Sequence, residues 1–269
     1  RPGAIFRAIC DRPIKGQGGM MMRLPEGETA FLRQGKGLRP GQPLLVQVTG
    51  IAEGGKAVPV TDRVLFKSRY AIVTPGKPGL NISRQITDED ARDALLGVAH
   101  EVFDTPHGLI LRSSCEGADE ADIADDILAM TALADTVLTD AEGTNPEALT
   151  EGDGPHTVAW REWTGAAEVV TKTGSFAQMG VLDQLDHLAQ AKVALGEGFM
   201  FVEPTRALVA VDVNTGNDTS PAAALKANLA AARALPRALR LRGLAGQLTV
   251  DIVSMSTAHR KQVAQSLRA

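Results

Sequence analysis

Two aspartates each close an apolar, strand-like run. Ala207-Leu208-Val209-Ala210-Val211 leads into Asp212, and Gln247-Leu248-Thr249-Val250 leads into Asp251, with Ile252-Val253 following. Between them Asn214-Thr215-Gly216 makes a turn, and Ser220 is a good helix N-cap with Pro221 at the first helical position. An Ala/Leu/Arg-rich run then continues to Arg242, before Gly243 and Gly246. Pro236 removes one backbone donor and is expected to kink that helix. The spacing predicts a strand–helix–strand unit with parallel strands, adjacent or nearly so, and both aspartates at similar heights. An ionised carboxylate among aliphatic neighbours is costly unless something positive compensates it. A divalent cation with few protein oxygens and the rest of its shell left to water and phosphate suits magnesium, and strand ends are where open α/β sheets bind ligands. The alternative is that one aspartate caps the helix and the other pairs with Arg237, Arg240 or Arg242.

Two further sets could recognise a polyanion. The strand-like Gly108-Leu109-Ile110-Leu111 runs directly into Arg112, Ser113 and Ser114, a guanidinium beside two hydroxyls. It reads either as a phosphate clamp or as an arginine paired with one of the many nearby carboxylates. Phe31 is the one aromatic in a polar turn region among Arg7, Arg12, Lys15, Arg23, Arg33, Lys36 and Lys56. That combination suits a base stacked over a charged groove, or Phe31 is simply core. The five histidines have no metal-ligand spacing, and Trp160 and Trp163 read as core or interface.

The elements that must position these residues follow from local pattern. From Gly3 to about Phe66, short β-type runs (Ile5–Ile9, Met20–Leu24, Leu44–Val48, Val58–Val60) alternate with glycine-rich turns, which predicts a small barrel of the OB type. Leu65–Val73 reads as one strand ended by a Pro/Gly turn, and Asp88–Val102 and residues 119–139 as amphipathic helices. Glu142–Pro155 reads as a linker or loop. Phe199–Val202 and Ala207–Val211 read as a hairpin.

A net charge of −4 hides a strong segregation: residues 1–86 hold 14 Lys/Arg against 5 Asp/Glu, residues 87–200 hold 5 against 23, and residues 201–269 hold 9 against 4. Two basic segments are the footprint expected of a protein that tracks a phosphate backbone, though ordinary solubilising charge gives the same count. Cys10 and Cys115 can supply neither a disulfide framework nor a Cys-based zinc site, which favours a reducing, cytoplasmic setting. No apolar run is long enough for a membrane helix. The start, Arg1-Pro2-Gly3-Ala4, lacks an initiator Met and a signal pattern and reads as the interior of a longer chain or an artificial start.

The blocks Glu203-Pro204-Thr205, Val211-Asp212-Val213-Asn214-Thr215-Gly216, Lys226-Ala227-Asn228-Leu229, Leu239-Arg240-Leu241-Arg242-Gly243 and Val250-Asp251-Ile252 occur in an order and spacing that resemble the catalytic block of the ribonuclease E/G family. Upstream, Gly41-Gln42, Val46-Gln47-Val48, Lys56-Ala57, Tyr70, Ile82-Ser83-Arg84 and Gly108-Leu109-Ile110 extend the resemblance over most of the chain, most weakly at 140–180.

The resemblance implies an α+β multidomain protein: an OB-fold RNA-binding domain (1–66), a 5′-sensor region (67–139), an α/β ribonuclease H-like segment (140–187) and a DNase I-like catalytic domain (188–269). It implies a metal-dependent endoribonuclease acting on single-stranded RNA in RNA processing and decay. In that reading Asp212 and Asp251 hold magnesium, with manganese as the alternative ion, and Asn214 orients the scissile phosphate or one of the carboxylates. Phe31 and Lys56 contact RNA, while Arg112 and Ser113 hold a 5′-monophosphate in a pocket completed by Ser68 and Ile72. Hydrolysis by water activated at the metal would leave a 5′-phosphate and a 3′-hydroxyl. Ser68 stands where the family usually has glycine and is expected to narrow the pocket. Met21 or Met22 stands in for a second aromatic on the barrel. No zinc-linking cysteine motif is present, so no zinc site is expected, and a homo-oligomer stays open without that support. A homologue that binds RNA and cleaves it weakly or not at all is the competing reading.

Overall fold

The computed structural model describes residues 1–14, 16, 18–52 and 55–268; Lys15, counted above among the charges of the barrel, lies outside the described residues. In chain order the elements are β1 (Ile5–Ile14), β2 (Gly19–Arg23), β3 (Thr29–Leu32), β4 (Pro43–Val48), β5 (Val58–Thr61), β6 (Phe66–Lys67), β7 (Ala71–Thr74), β8 (Gly79–Ile82), α1 (Glu89–Val102), β9 (Gly108–Leu111), α2 (Glu120–Asp140), β10 (Glu147–Thr150), α3 (Pro155–Glu162), α4 (Ser175–Gln178), α5 (Val181–Ala189), β11 (Lys192–Leu195), β12 (Gly198–Pro204), β13 (Val209–Asn214), α6 (Pro221–Leu241), β14 (Leu248–Asp251) and α7 (Thr257–Ser266). They divide into two units, Arg1–Ala167 and Glu168–Ala269, so the stretch 140–187 is shared between both.

In the first unit, β1 pairs with both β2 and β4, and β3 pairs in parallel with β5. This closes the order β1-β2-β3-β5-β4 into a five-stranded, OB-like barrel. A register shift between Cys10 and Arg12 lets the long β1 bend around the barrel. Alternation sends Met20, Met22, Ala30, Leu32, Val46, Val48 and Val60 inward. The region expected to be a loop, Glu142–Pro155, instead contains β10, which adds to β1 as an extra strand. Arg7 is 6% exposed, donating to the carbonyls of Asn145 (2.7 Å) and Asp140 and to the Glu147 carboxylate. It ties the barrel to the C-terminal end of α2 and is not a groove charge.

The same unit holds a second sheet, β6-β7-β9-β8, whose inner face (Phe66, Ala71, Val73, Leu109, Leu111) packs with Ile123 and Ile127 of α2 and Leu95 and Ala99 of α1. Both helices start where an acidic side chain caps them, Asp88 and Asp119. The expected single strand Leu65–Val73 is broken into β6 and β7. Asp126 of α2 accepts from Ser68 Oγ (2.5 Å), Tyr70 N (2.8 Å) and Ala71 N (3.2 Å), which fixes a turn at residues 68–70. The tryptophans are not core: Trp160 and Trp163 are 63% and 76% exposed, and Arg69 lies 4.3 Å over the Trp160 ring.

The second unit is a four-stranded sheet, β11-β12-β13-β14, antiparallel except for the β13–β14 pair. Met200, Val202, Val209, Val211 and Val213 pack on Ala227, Ala231, Leu235 and Ala238 of α6. Ser220 caps α6 through Ala223 N, and Pro236 lies within the helix. Among the described residues, no helix is long and apolar enough to cross a membrane.

Candidate functional site

Asp212 and Asp251 are direct partners in the parallel β13–β14 ladder, which puts their backbones about 5 Å apart. On β13 the valines 209, 211 and 213 are buried against α6, so period-two alternation turns Ala210, Asp212 and Asn214 to the opposite face. That face carries no helix of this unit's core, and both carboxylates are exposed. The expectation that they are buried among aliphatic neighbours is therefore wrong. The flanking valines share the strand but point the other way, and no desolvation cost demands a counter-ion. The capping and ion-pair alternatives fail as well. Ser220 caps α6, and Arg242 donates to the carbonyls of Ala238 (3.2 Å) and Gln190 (3.0 Å). Among the described residues neither aspartate has an ion-pair partner.

Asn214 Nδ2 donates to Asp212 Oδ2 at 2.9 Å, holding that carboxylate by one oxygen and leaving the other to the open side. Asp251 is positioned from behind. Asn228 of α6, 1% exposed, donates through Nδ2 to Val253 O (2.9 Å) and accepts through Oδ1 from Val253 N (3.1 Å), fixing the chain two residues past Asp251. The donor set is carboxylate oxygens with an amide nearby and no sulfur or imidazole. Among the described residues no group of three or more His, Cys, Asp and Glu side chains comes together as a metal cage. Two carboxylates and an open side fit a hard cation that keeps most of its shell as water, and fit zinc poorly. A cavity of about 620 Å³ in this unit, lined by His187, Leu188, Arg233, Arg237 and Arg242 among others, involves α6 and so the helix side of the sheet.

The structure also brings in side chains that the sequence reading missed. Phe201 pairs with Asp212 and Phe199 with Asn214 across β12–β13, so both rings share the carboxylate face. They meet edge to face with centroids 5.5 Å apart, and Lys192 of β11 places its Nζ 4.1 Å over the Phe199 ring. The signal was available in Gly198–Pro204, where alternation sets the two phenylalanines opposite Met200 and Val202.

In the first unit, Arg112 is not an open guanidinium. It lies at the end of β9, its side chain 16% exposed, and donates to the carbonyls of Ser68, Arg69 (3.2 Å) and Arg161 (3.2 Å) and to Glu162 Oε2 (2.7 Å). Lys67 (2.7 Å) and Arg161 (2.8 Å) bind the other oxygen of Glu162. Burial alone would push the Glu162 carboxyl up, but hydrogen bonds from Lys67 and Arg161 and the charges of Arg112 and Lys67 outweigh it and bring it down to about 2. Of the two sequence readings, the carboxylate partner is the one present. Ser113 is exposed beside it, and Ser114 Oγ donates to Arg69 O. Ile72 is half-buried on the same sheet face as Lys67, its ladder partner. Ser68 does not stand free: its hydroxyl is engaged by Asp126 and by Ala71 O (3.0 Å). No sequence signal pointed to Glu162, which lies 50 residues from Arg112.

Phe31 sits within β3, not in a turn, half-buried on the outer face of the barrel between Met21 and Pro59. Its ring covers Gly19, where any Cβ would lie within 2.3 Å of it. Of the two methionines, Met21 flanks Phe31 on this outer face and Met22 is fully buried. Lys56 is exposed just before β5, the strand that carries Pro59.

The profile of the Ribonuclease E/G family matches residues 66–173 and 161–269. Ribonuclease G of Escherichia coli (strain K12) is 28% identical over 272 residues, covering 86% of this chain and 55% of that protein. Ribonuclease E of Nostoc sp. (strain PCC 7120) is 28% identical over 262 residues, covering 82% and 38%, and ribonuclease G of Haemophilus influenzae is 26% identical over 268 residues, covering 86% and 55%. The chain thus spans about half the length, or less, of these curated relatives. With the family profile matching well over half of its residues, the chain belongs to the ribonuclease E/G family.

Proposed function

We propose that the chain carries the catalytic face of an endoribonuclease that hydrolyses phosphodiester bonds in single-stranded RNA, in cytoplasmic RNA processing and decay. The observation that carries this reading is the in-register pair Asp212 and Asp251 on an open sheet face, in a member of a family whose matched relatives are named ribonucleases. We read residues 188–269 as the DNase I-like catalytic domain, 140–187 as a ribonuclease H-like segment and 67–139 as the 5′-sensor region, with the barrel as the RNA-binding domain.

Asp212 and Asp251 would hold magnesium. When bound there it would supply positive charge against the phosphate and make water a stronger nucleophile at neutral pH. The chain's own residues set the stage for this. Asn214 donates to one oxygen of Asp212, which reduces the rotamer freedom that carboxylate would lose on binding and leaves its second oxygen for a ligand. Asn228 of α6 holds the backbone beyond Asp251 from the helix side of the sheet, behind the carboxylate face. Both carboxylates are accessible, and their combined negative charge would repel a phosphate in the absence of a cation, which ties RNA positioning to metal binding. Phe31 and Lys56 on the barrel suit a stacked base and a phosphate.

The decisive experiment incubates the purified chain with a 5′-monophosphorylated, single-stranded RNA, with magnesium or with a chelator. Internal cleavage only with the metal is expected, leaving a 5′-phosphate on the downstream product. RNA bound but intact in both conditions would favour the RNA-binding homologue that does not cut.

A further inference from the structure

The carboxylate face has an order across its strands. Lys192 pairs with Phe201, Phe201 with Asp212 and Asp212 with Asp251, so one row perpendicular to the strands reads Lys, Phe, Asp, Asp. The row beside it reads Ala194, Phe199, Asn214, and the row on the other side Glu203, Ala210, Thr249. Two half-exposed aromatic rings on an uncovered face, between a cation and a pair of carboxylates, are not needed by the core, which lies on the helix side. Strand spacing of about 4.8 Å puts the backbone of Lys192 roughly 10 Å from that of Asp212. An RNA strand rises about 3.4 Å per nucleotide when stacked and more when extended, so this span matches about two nucleotides.

We propose that Phe199 and Phe201 form a stacking step for a base next to the scissile phosphate, with Lys192 taking the phosphate beyond it, so that the RNA crosses the sheet from β14 toward β11. The assignment rests on the reading of Asp212 and Asp251 as the cleavage site, and it adds a subsite of defined chemistry: an unpaired base, read by its π-face and not by its edge. The occupant follows from the neighbours. A phosphodiester at Asp212 and Asp251 places its sugar and base one strand away, which is where the rings are, and Lys192 supplies the positive charge that a following phosphate requires. Glu203 disfavours the backbone on the other side of the row, which leaves the Phe199 side as the path. Stacking is sequence-tolerant, so this step would hold any base while a duplex, whose bases are not exposed, would be excluded.

The test uses the full chain with magnesium and RNA whose scissile phosphodiester is replaced by a non-cleavable linkage, so that binding is read without cleavage, with 2-aminopurine at each nucleotide flanking the mapped cut. Quenching of the fluorophore at one flanking nucleotide is expected, lost in the Phe199→Ala/Phe201→Ala double variant and retained in Phe201→Tyr. An abasic residue at that nucleotide should weaken binding to the unmutated protein by roughly 5- to 150-fold and have little effect on the double variant. Because the abasic RNA is read on the unmutated protein, misfolding of a variant does not blunt the test. Equal affinity for intact and abasic RNA, or absence of quenching at every flanking position, would overturn the proposal. Cleavage by Asp212→Asn at the unmutated rate would instead overturn the assignment of the cleavage site, an outcome read from the products and not from the fluorescence.

Discussion

The Arg112 cluster and the Asp212–Asp251 face are both concentrations of charge at the ends of strands, and they are resolved in opposite ways. Around Arg112 the chain supplies a counter-charge of its own: the single carboxylate of Glu162 is shared by Lys67, Arg112 and Arg161. On the sheet face the two carboxylates stand in register with an amide beside them and, among the described residues, no ion-pair partner; the cation of that face, Lys192, lies over Phe199. A site satisfied internally is stable without ligand and binds by exchange. A site left unsatisfied gains the full interaction with its ligand, because no internal partner has to be displaced. In the proposed reading a cation at the carboxylate face would displace no internal partner, whereas a terminal phosphate at Arg112 would have to compete with Glu162.

The largest effect should come from the unsatisfied site. Asp212→Asn and Asp251→Asn are each expected to abolish cleavage in a gel assay while leaving RNA affinity nearly unchanged, since they remove oxygen ligands and not groove cations. Near-normal cleavage in both would break the comparison at its first half.

The satisfied site should behave differently. Glu162→Gln releases Arg112, and the rate of cutting a 5′-monophosphorylated RNA relative to its 5′-hydroxyl form is expected to rise about tenfold, the value of one charge-assisted hydrogen bond. Arg112→Ala should erase any such preference without slowing the hydroxyl substrate. A ratio that is the same in the parent chain and in Glu162→Gln would mean that Glu162 does not compete for the cluster.

Acid should open the same cluster. The Glu162 carboxyl is lowered in the folded state, so it contributes stability that is fully present above the ordinary glutamate range and is lost as pH falls from about 4.5 toward about 2. Thermal unfolding followed across that window should show a steeper loss in the parent than in Glu162→Gln. Parallel curves would count against the cluster as the cause.

The smallest effect belongs to the barrel. Lys56→Ala should weaken RNA binding and reduce the slope of log affinity against log salt by about 1, the release of roughly one counterion. An unchanged slope would take Lys56 off the RNA path.

What the sequence determined by itself is the local and the regularly spaced. The barrel, the capped helices α1, α2 and α6, and the parallel placement of Asp212 beside Asp251 all follow from alternation, caps and crossover length, which act over a few residues or through one short connection. Side-chain direction was legible in principle, since the alternation that buries Val211 and Val213 also exposes Asp212 and Asn214. The misreading of those carboxylates as buried came from taking sequence neighbours for spatial ones. The break at Ser68-Arg69-Tyr70 was decided by Asp126, more than 50 residues later, and the addition of β10 to the barrel by pairing with β1 across more than 130 residues. The partner of Arg112 was decided in the same way, by Glu162. Only the tertiary structure could settle these, because an acidic middle segment offers many carboxylates of equal local merit. Which of them reaches a given cation depends on where the folded backbone brings it.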